Sequence, residues 1–127
     1  MEKETRKETL RRLFIENNLV KEDVFEHKFY KIITRAGIDK IQAANKIKVD
    51  YNLEYNSPDN KFIIIKATAV KGEELIQTYG ESSPANTNNA YPVAMAEKRA
   101  MARAVLKLAG LYQLGVFSED ESDDFKR

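Results

Sequence analysis

A run of basic residues near the C-terminus has the spacing of one helix face. Arg99, Arg103 and Lys107 recur every four residues within YPVAMAEKRAMARAVLKLAGLYQLG, residues 91 to 115. Residues four apart are neighbours on a helix, and the planar guanidinium group of arginine suits phosphate. The alanines at positions 96, 100, 102 and 104 are too small to cover these bases. Two interpretations are open from spacing alone: a surface that binds an anionic chain, or a solvated helix face.

Residues that could support catalysis or metal binding are scarce. The chain has no cysteine and one histidine, His27. This composition excludes disulfides, thiolate metal sites and sites with several histidines. No serine lies near His27 to suggest a nucleophilic triad, and no phosphate-loop or dinucleotide fingerprint is present. The sequence therefore predicts a protein that is not an enzyme and that needs no cofactor or metal.

The elements that must position the basic run follow from hydrophobic periodicity. The clearest strand is IKVDYNLEYN, residues 47–56, in which apolar and polar residues alternate. The pattern predicts an α+β fold with a three-stranded antiparallel meander, preceded by a short strand and helix and packed against a long C-terminal helix. The predicted elements are helix 4–17, strand 28–34, helix 36–46, strands 47–56, 61–70 and 73–80, polar loop 81–90 and helix 91–109. In that last helix the predicted apolar face holds Ala94, Met101, Val105, Leu108 and Ala109, opposite the bases.

Charge is distributed unevenly along the 127 residues. The formal net charge is +1, but the last ten residues, SEDESDDFKR, hold five acids and two bases. We expect an N-terminal helical segment at 1–22, an α+β core at 23–117, and an acidic tail at 118–127 that is disordered. The opening MEKETRKETLRR lacks the apolar core of a signal peptide, which predicts a cytoplasmic protein without a membrane contact.

Four local words resemble the single-strand annealing proteins, namely the Rad fifty-two family of eukaryotes and the ERF-like proteins of bacteriophages. They are IDKIQAANKI at 38–47, TYGES at 78–82, AEKRAMARAVLKLAG at 96–110, and the glycine that closes that helix, followed by an acidic SEDE. The resemblance covers about residues 28 to 121, and the third word is the most specific.

The resemblance implies a protein that binds single-stranded DNA through its phosphate backbone and anneals complementary strands in recombination. It further implies a homo-oligomeric ring or filament in a bacterial or phage-infected cell. Arg103 matches the family's basic residue on the long helix, with Arg99 and Lys107 beside it, and Arg35 is a looser match. The remaining predicted DNA contacts are Lys98 and, from strand geometry, Lys48. The alternative is a non-catalytic regulatory or interaction module, a replication accessory or anti-defence protein, whose basic helix binds protein or RNA.

Some side chains admit two interpretations. Tyr79 and Tyr91, which flank the polar loop, are candidates for base stacking or for the core and its rim. The acidic tail is a solubilising extension, or it lies across the basic surface until DNA displaces it. Met95 and Leu106, beside the basic run, are candidates for a subunit contact.

Overall fold

The computed structural model describes residues 4–27, 30–84 and 91–124. These residues form two three-stranded sheets and three α-helices. The α-helices and strands are α1 (Arg6–Glu16), β1 (Val24–His27), β2 (Tyr30–Ile33), α2 (Arg35–Asn45), β3 (Lys48–Asn56), β4 (Ile63–Lys71), β5 (Glu74–Ser82), α3 (Pro92–Leu108) and β6 (Val116–Ser118). Short 3-10 helices occupy Lys21–Asp23, Tyr112–Leu114 and Glu119–Asp124. The last of these is called the acidic segment below.

Threonine caps begin the first two helices. The Thr5 hydroxyl accepts a hydrogen bond from the N–H of Glu8, and the Thr34 hydroxyl accepts one from the N–H of Gly37. Such caps satisfy N–H groups that have no partner within the helix. Lys46 ends α2 in a left-handed conformation. These local signals account for the positions of both helices.

The larger sheet is the antiparallel meander β3-β4-β5. Along β4 the residues Ile63, Ile65, Ala67 and Ala69 are buried, while those between them are only partly covered. This period of two directs one face toward α3. A β-bulge interrupts β3 between Leu53 and Tyr55.

Helix α3 crosses the meander at close range because both surfaces are small there. Ala96, Ala100 and Ala104 are fully buried. Opposite them, Gly80 has so little space that a Cβ would lie 2.0 Å from the carbonyl oxygen of Ala96. The Thr78 hydroxyl donates to the Ala100 carbonyl at 2.6 Å. Alanine and glycine therefore form the contact between helix and sheet.

The second sheet has the order β1-β2-β6, with β1 antiparallel and β6 parallel to β2. It shares a hydrophobic core with α2 and the C-terminal half of α3. Leu10 of α1 belongs to the same core. The N-terminal helix thus packs on the rest of the chain.

The α+β prediction and the meander packed on α3 are confirmed. Strand 28–34 was placed too late and as a single element, because the structure has β1 at 24–27 and β2 at 30–33. The sequence did not predict β6, whose three residues are too few to carry a period. Within the described residues, no helix combines the length and the hydropathy needed to cross a bilayer.

Candidate nucleic-acid interface

Arg99 does not stand on a free outer face, so that prediction is wrong. Its side chain lies in the interior, and the residue is 4% exposed. The guanidinium Nη1 donates to the carbonyl of Glu81 at 2.9 Å, and Nε donates to the carbonyl of Asp120 at 3.2 Å. Arg99 thus joins β5 to the acidic segment and cannot reach a DNA backbone while these contacts hold.

Arg103 is partly buried and paired with two carboxylates. Its Nη1 and Nη2 donate to the two oxygens of Glu81, each at 2.9 Å, and Nε contacts Glu121. Burial would lower the pKa of Arg103, but the hydrogen bonds and charges of the two acids outweigh it and raise the pKa. The hydrogen bond from Arg103 in turn lowers the pKa of Glu81. The sequence argument considered acids on the helix itself and missed these two, which come from β5 and from the tail.

The alanines explain why the arginines turn inward. Because the side of α3 bearing Ala96, Ala100 and Ala104 faces the sheet, Arg99 and Arg103 lie over the outer edge of β5. β5 is a terminal strand of its sheet, and such a strand leaves carbonyl groups without a strand partner. Arg99 donates to the Glu81 carbonyl and Arg103 to the Tyr79 carbonyl, at 2.9 and 2.6 Å. The two arginines that were predicted to bind phosphate therefore bind carbonyl groups at the outer edge of β5.

Two further side-chain predictions for α3 are corrected. Leu106 was a candidate for a subunit contact, but it is 1% exposed and belongs to the core. Ala94 was assigned to the apolar face and is exposed instead. Met95 is partly buried. Both errors follow from treating the alanine side as solvated, which rotates the predicted faces of the helix.

The prediction of a disordered tail is wrong for residues 118–124. Ser118 belongs to β6, and the acidic segment packs on α3. Glu119 accepts a hydrogen bond from the backbone N–H of Arg35 at 2.9 Å, where α2 begins. Burial raises the pKa of the neighbouring carboxyl, Asp120, against the opposing charges of Arg35 and Lys98. The segment is held because its carboxylates meet a helix N-terminus and Arg103. Residues 125–127 lie outside the described residues.

Three of the predicted site residues meet in one place. Arg35, Lys98 and Tyr91 line an open groove of about 490 Å³ between the beginnings of α2 and α3. Glu97 is also in the groove. Tyr91 is 71% exposed. This groove combines cationic side chains with an aromatic ring at the protein surface.

Tyr51, on β3, belongs beside this groove and was not predicted as a site residue. Burial, followed by the negative charge of Glu97, raises the pKa of Tyr51 to about 12, while Arg35 acts in the opposite direction. Because its ladder partner Ala67 is buried against α3, the Tyr51 side chain is on the α3 side of the sheet, where the groove also lies. The residue was overlooked because the alternating pattern of β3 suggested that its apolar face would be covered.

The other predicted residues do not join the groove. Lys48 is opposite Val70 in the ladder, and Tyr79 lies between the buried residues Thr78 and Gly80. Because strand residues alternate, Lys48 and Tyr79 are on the face of the sheet away from α3. Lys107 is exposed near the other end of the helix, with Nζ 5.0 Å from the ring centre of Tyr112. The position of Lys48 on the polar face of the sheet agrees with the expectation from strand geometry, but Lys48 does not line the groove.

Among the described residues, no group of three or more potential ligands could hold a metal ion. Comparison with protein-family models, curated proteins and solved structures finds no match to this chain. The assignment of function therefore rests on the residues and on the groove.

Proposed function

We propose that the protein binds single-stranded DNA through its phosphate backbone in the groove between α2 and α3. We further propose that, as a homo-oligomer, it promotes annealing of complementary strands in recombination. The observation that carries the proposal is the meeting of Arg35, Lys98 and Tyr91 in one open groove. We assign phosphate binding to Arg35, which is exposed, and to Lys98, which lines the groove, instead of to Arg99 and Arg103.

The groove has the chemistry that strand annealing needs. The guanidinium and ammonium groups bind phosphates without reading a base. Tyr91 in the groove, and Tyr51 on the same side of the sheet, offer rings on which bases of any sequence can stack. Glu97 reduces the net charge of the groove to +1, so affinity is modest and strands can exchange. Contacts of this kind leave the pairing edges of the bases available to a second strand.

The experiment measures oligonucleotide binding by fluorescence anisotropy, and annealing of complementary strands without nucleoside triphosphate. Arg35→Ala with Lys98→Ala should weaken single-strand binding about tenfold near 50 mM salt and make the slope of log affinity against log salt shallower by about 1.4. Lys21→Ala with Lys61→Ala is the matched control, since both lysines are exposed and outside the groove. The proposal fails if the wild type neither binds nor anneals, or if both double variants weaken binding equally.

A second candidate function is a protein-interaction module, and one observation favours it. An open groove of about 520 Å³ between α1 and β1 has a mainly apolar lining, with Ile15 and Val20 exposed. A surface of this kind is typical of protein contacts. The annealing assay separates the two candidates, because an interaction module need not accelerate strand pairing.

A further inference from the structure

The two outer strands of the meander, β5 and β3, differ in how far other parts of the chain cover their edges. Near the end of β5, the side chains of Arg99 and Arg103 occupy the carbonyls of Glu81 and Tyr79. The opposite terminal strand is β3, nine residues long, with positions 50–56 exposed. An open edge of this length is a template for pairing with another strand. The fold thus covers part of the β5 edge and leaves the β3 edge accessible.

The α3 side of β3 is apolar and poorly covered. Val49, Tyr51 and Leu53 are paired with Ala69, Ala67 and Ile65, which face α3. The helix lies over β4 and β5, and Tyr51 and Leu53 remain 36% and 58% exposed. A strand added beside β3 would bring further side chains against this apolar row.

The sequence of β3 is suited to antiparallel pairing with β3 of a second copy. In KVDYNLE, residues 48–54, an antiparallel pairing centred on Tyr51 sets Lys48 opposite Glu54 of a second copy. The same register sets Val49 opposite Leu53, Asp50 opposite Asn52 and Tyr51 opposite itself. Apolar residues then meet on the α3 side and polar residues on the other side. No two like charges are directly opposite in this register, and opposite charges meet at both ends.

We propose that β3 pairs with β3 of a second copy about a two-fold axis at Tyr51, joining two meanders into a six-stranded antiparallel sheet. The bulge after Leu53 ends the regular ladder close to the end of the complementary stretch. Glu54, which contacts Lys66 of its own chain at 3.3 Å, would then lie between that lysine and Lys48 of the second copy. The contact is isologous, so it closes at two copies and does not itself propagate a ring or filament.

The dimer has a consequence for the groove that rests on the proposed function. Tyr51 lies at the two-fold axis with its side chain on the α3 side of the sheet, the side on which the groove lies. The axis therefore brings the two grooves to the same side of the joined sheet. Two single strands bound to one dimer would run in opposite directions, which is the relation that complementary strands need.

A single engineered cysteine tests the register, because the chain contains no other cysteine. Directly opposed residues in an antiparallel pair have Cα atoms about 4.5–5.5 Å apart, within the span of a disulfide. Tyr51→Cys should therefore cross-link to a dimer under mild oxidation. Leu53→Cys is the control, because in this register the two copies of residue 53 are about 14 Å apart. Cross-linking of both variants at equal rates, or of neither, would overturn the proposal.

Sedimentation equilibrium of the protein without nucleic acid gives the second measurement. The wild type should dimerise, and Lys48→Glu should raise the dimer dissociation constant about tenfold, since the two-fold axis places two like-charge pairs in the interface. Adding Glu54→Gln should recover most of the affinity, and Lys61→Glu, which makes the same charge change elsewhere, should have no effect. A monomeric wild type, or equal effects of Lys48→Glu and Lys61→Glu, would refute this interface. A dimer that binds no DNA would instead refute the proposed function alone.

Discussion

Replacing Gly80 by alanine should separate α3 from the meander. The added Cβ would lie 2.0 Å from the carbonyl oxygen of Ala96, 2.4 Å from the backbone nitrogen of Ala100 and 3.0 Å from its Cβ. The two closest atoms belong to the helix backbone and cannot rotate away. The helix must therefore move outward over β5, where the hydrogen bond from Thr78 to the Ala100 carbonyl would be broken.

The size of the effect follows from what that movement disrupts. Overpacking in a core costs about 1–3 kcal/mol, and each hydrogen bond lost there adds about 1 kcal/mol. The Thr78 bond and the carbonyl contacts of Arg99 and Arg103 all cross this seam. We expect Gly80→Ala to lower the free energy of unfolding by about 3–5 kcal/mol, a large part of the stability of a domain of this size.

Urea unfolding followed by circular dichroism measures this loss. Gly72→Ala is the control, because Gly72 has φ +60° and open space around it. That variant should lose only the cost of a left-handed alanine, about 1–2 kcal/mol. Adding Ala100→Gly to Gly80→Ala should restore little, since the closest contacts are with the backbone. A loss below about 1 kcal/mol for Gly80→Ala, or full recovery with Ala100→Gly, would refute the reasoning.

Two other predictions concern the carboxylates. Glu119→Gln, Asp120→Asn and Glu121→Gln together should tighten single-strand binding about fivefold near 50 mM salt, because they remove negative charge beside the groove, and the gain should shrink at high salt. Anisotropy measures it, and unchanged affinity at low salt would contradict this role of the segment. The second prediction concerns Asp23, which is nearly buried; hydrogen bonds from Lys40, at 2.6 Å, and from the backbone lower its pKa. Its stabilisation is therefore present above the unfolded pKa of about 4 and lost as pH falls through the lower folded value. Asp23→Asn should lower the free energy of unfolding by about 2 kcal/mol at pH 7 and make stability fall less steeply as the pH is lowered. Denaturant midpoints between pH 7 and pH 2 measure this dependence. An unchanged loss of stability at acid pH would contradict the proposed role of Asp23.

The sequence predicted the elements of the meander and of α3 well, because their periods extend over many residues. It did not predict which side of α3 faces the sheet. The hydrophobic pattern gives alanine little weight, yet Ala96 and Ala100 form the closest contact with the sheet. A glycine within a strand pattern signals such a close approach, and Gly80 was the available clue. Its pairing with the alanine row depends on strand order and distance, which no local pattern contains.

The acidic tail was mispredicted for a related reason. Its composition is typical of a disordered segment, and the groups that hold it come from distant parts of the chain. Glu119 meets the start of α2, 84 residues earlier. Glu121 meets Arg103 of α3, whose second partner, Glu81, is on β5. A local pattern cannot reveal a set of charges that only the tertiary fold assembles.

These contacts give the inward arginines an indirect part in the proposed site. The acidic segment contacts the start of α2 through Glu119 and α3 through Glu121. Those helices carry Arg35 and Lys98, so the segment both neutralises the groove and helps to fix its two walls. Salt separates the two effects, because charge repulsion is screened whereas groove geometry is not. Neutralising the segment should therefore favour binding at low salt and lose that gain at high salt, where only the weakened Glu121 contact with Arg103 remains. Replacing Arg103 should weaken binding at every salt concentration by loosening the walls.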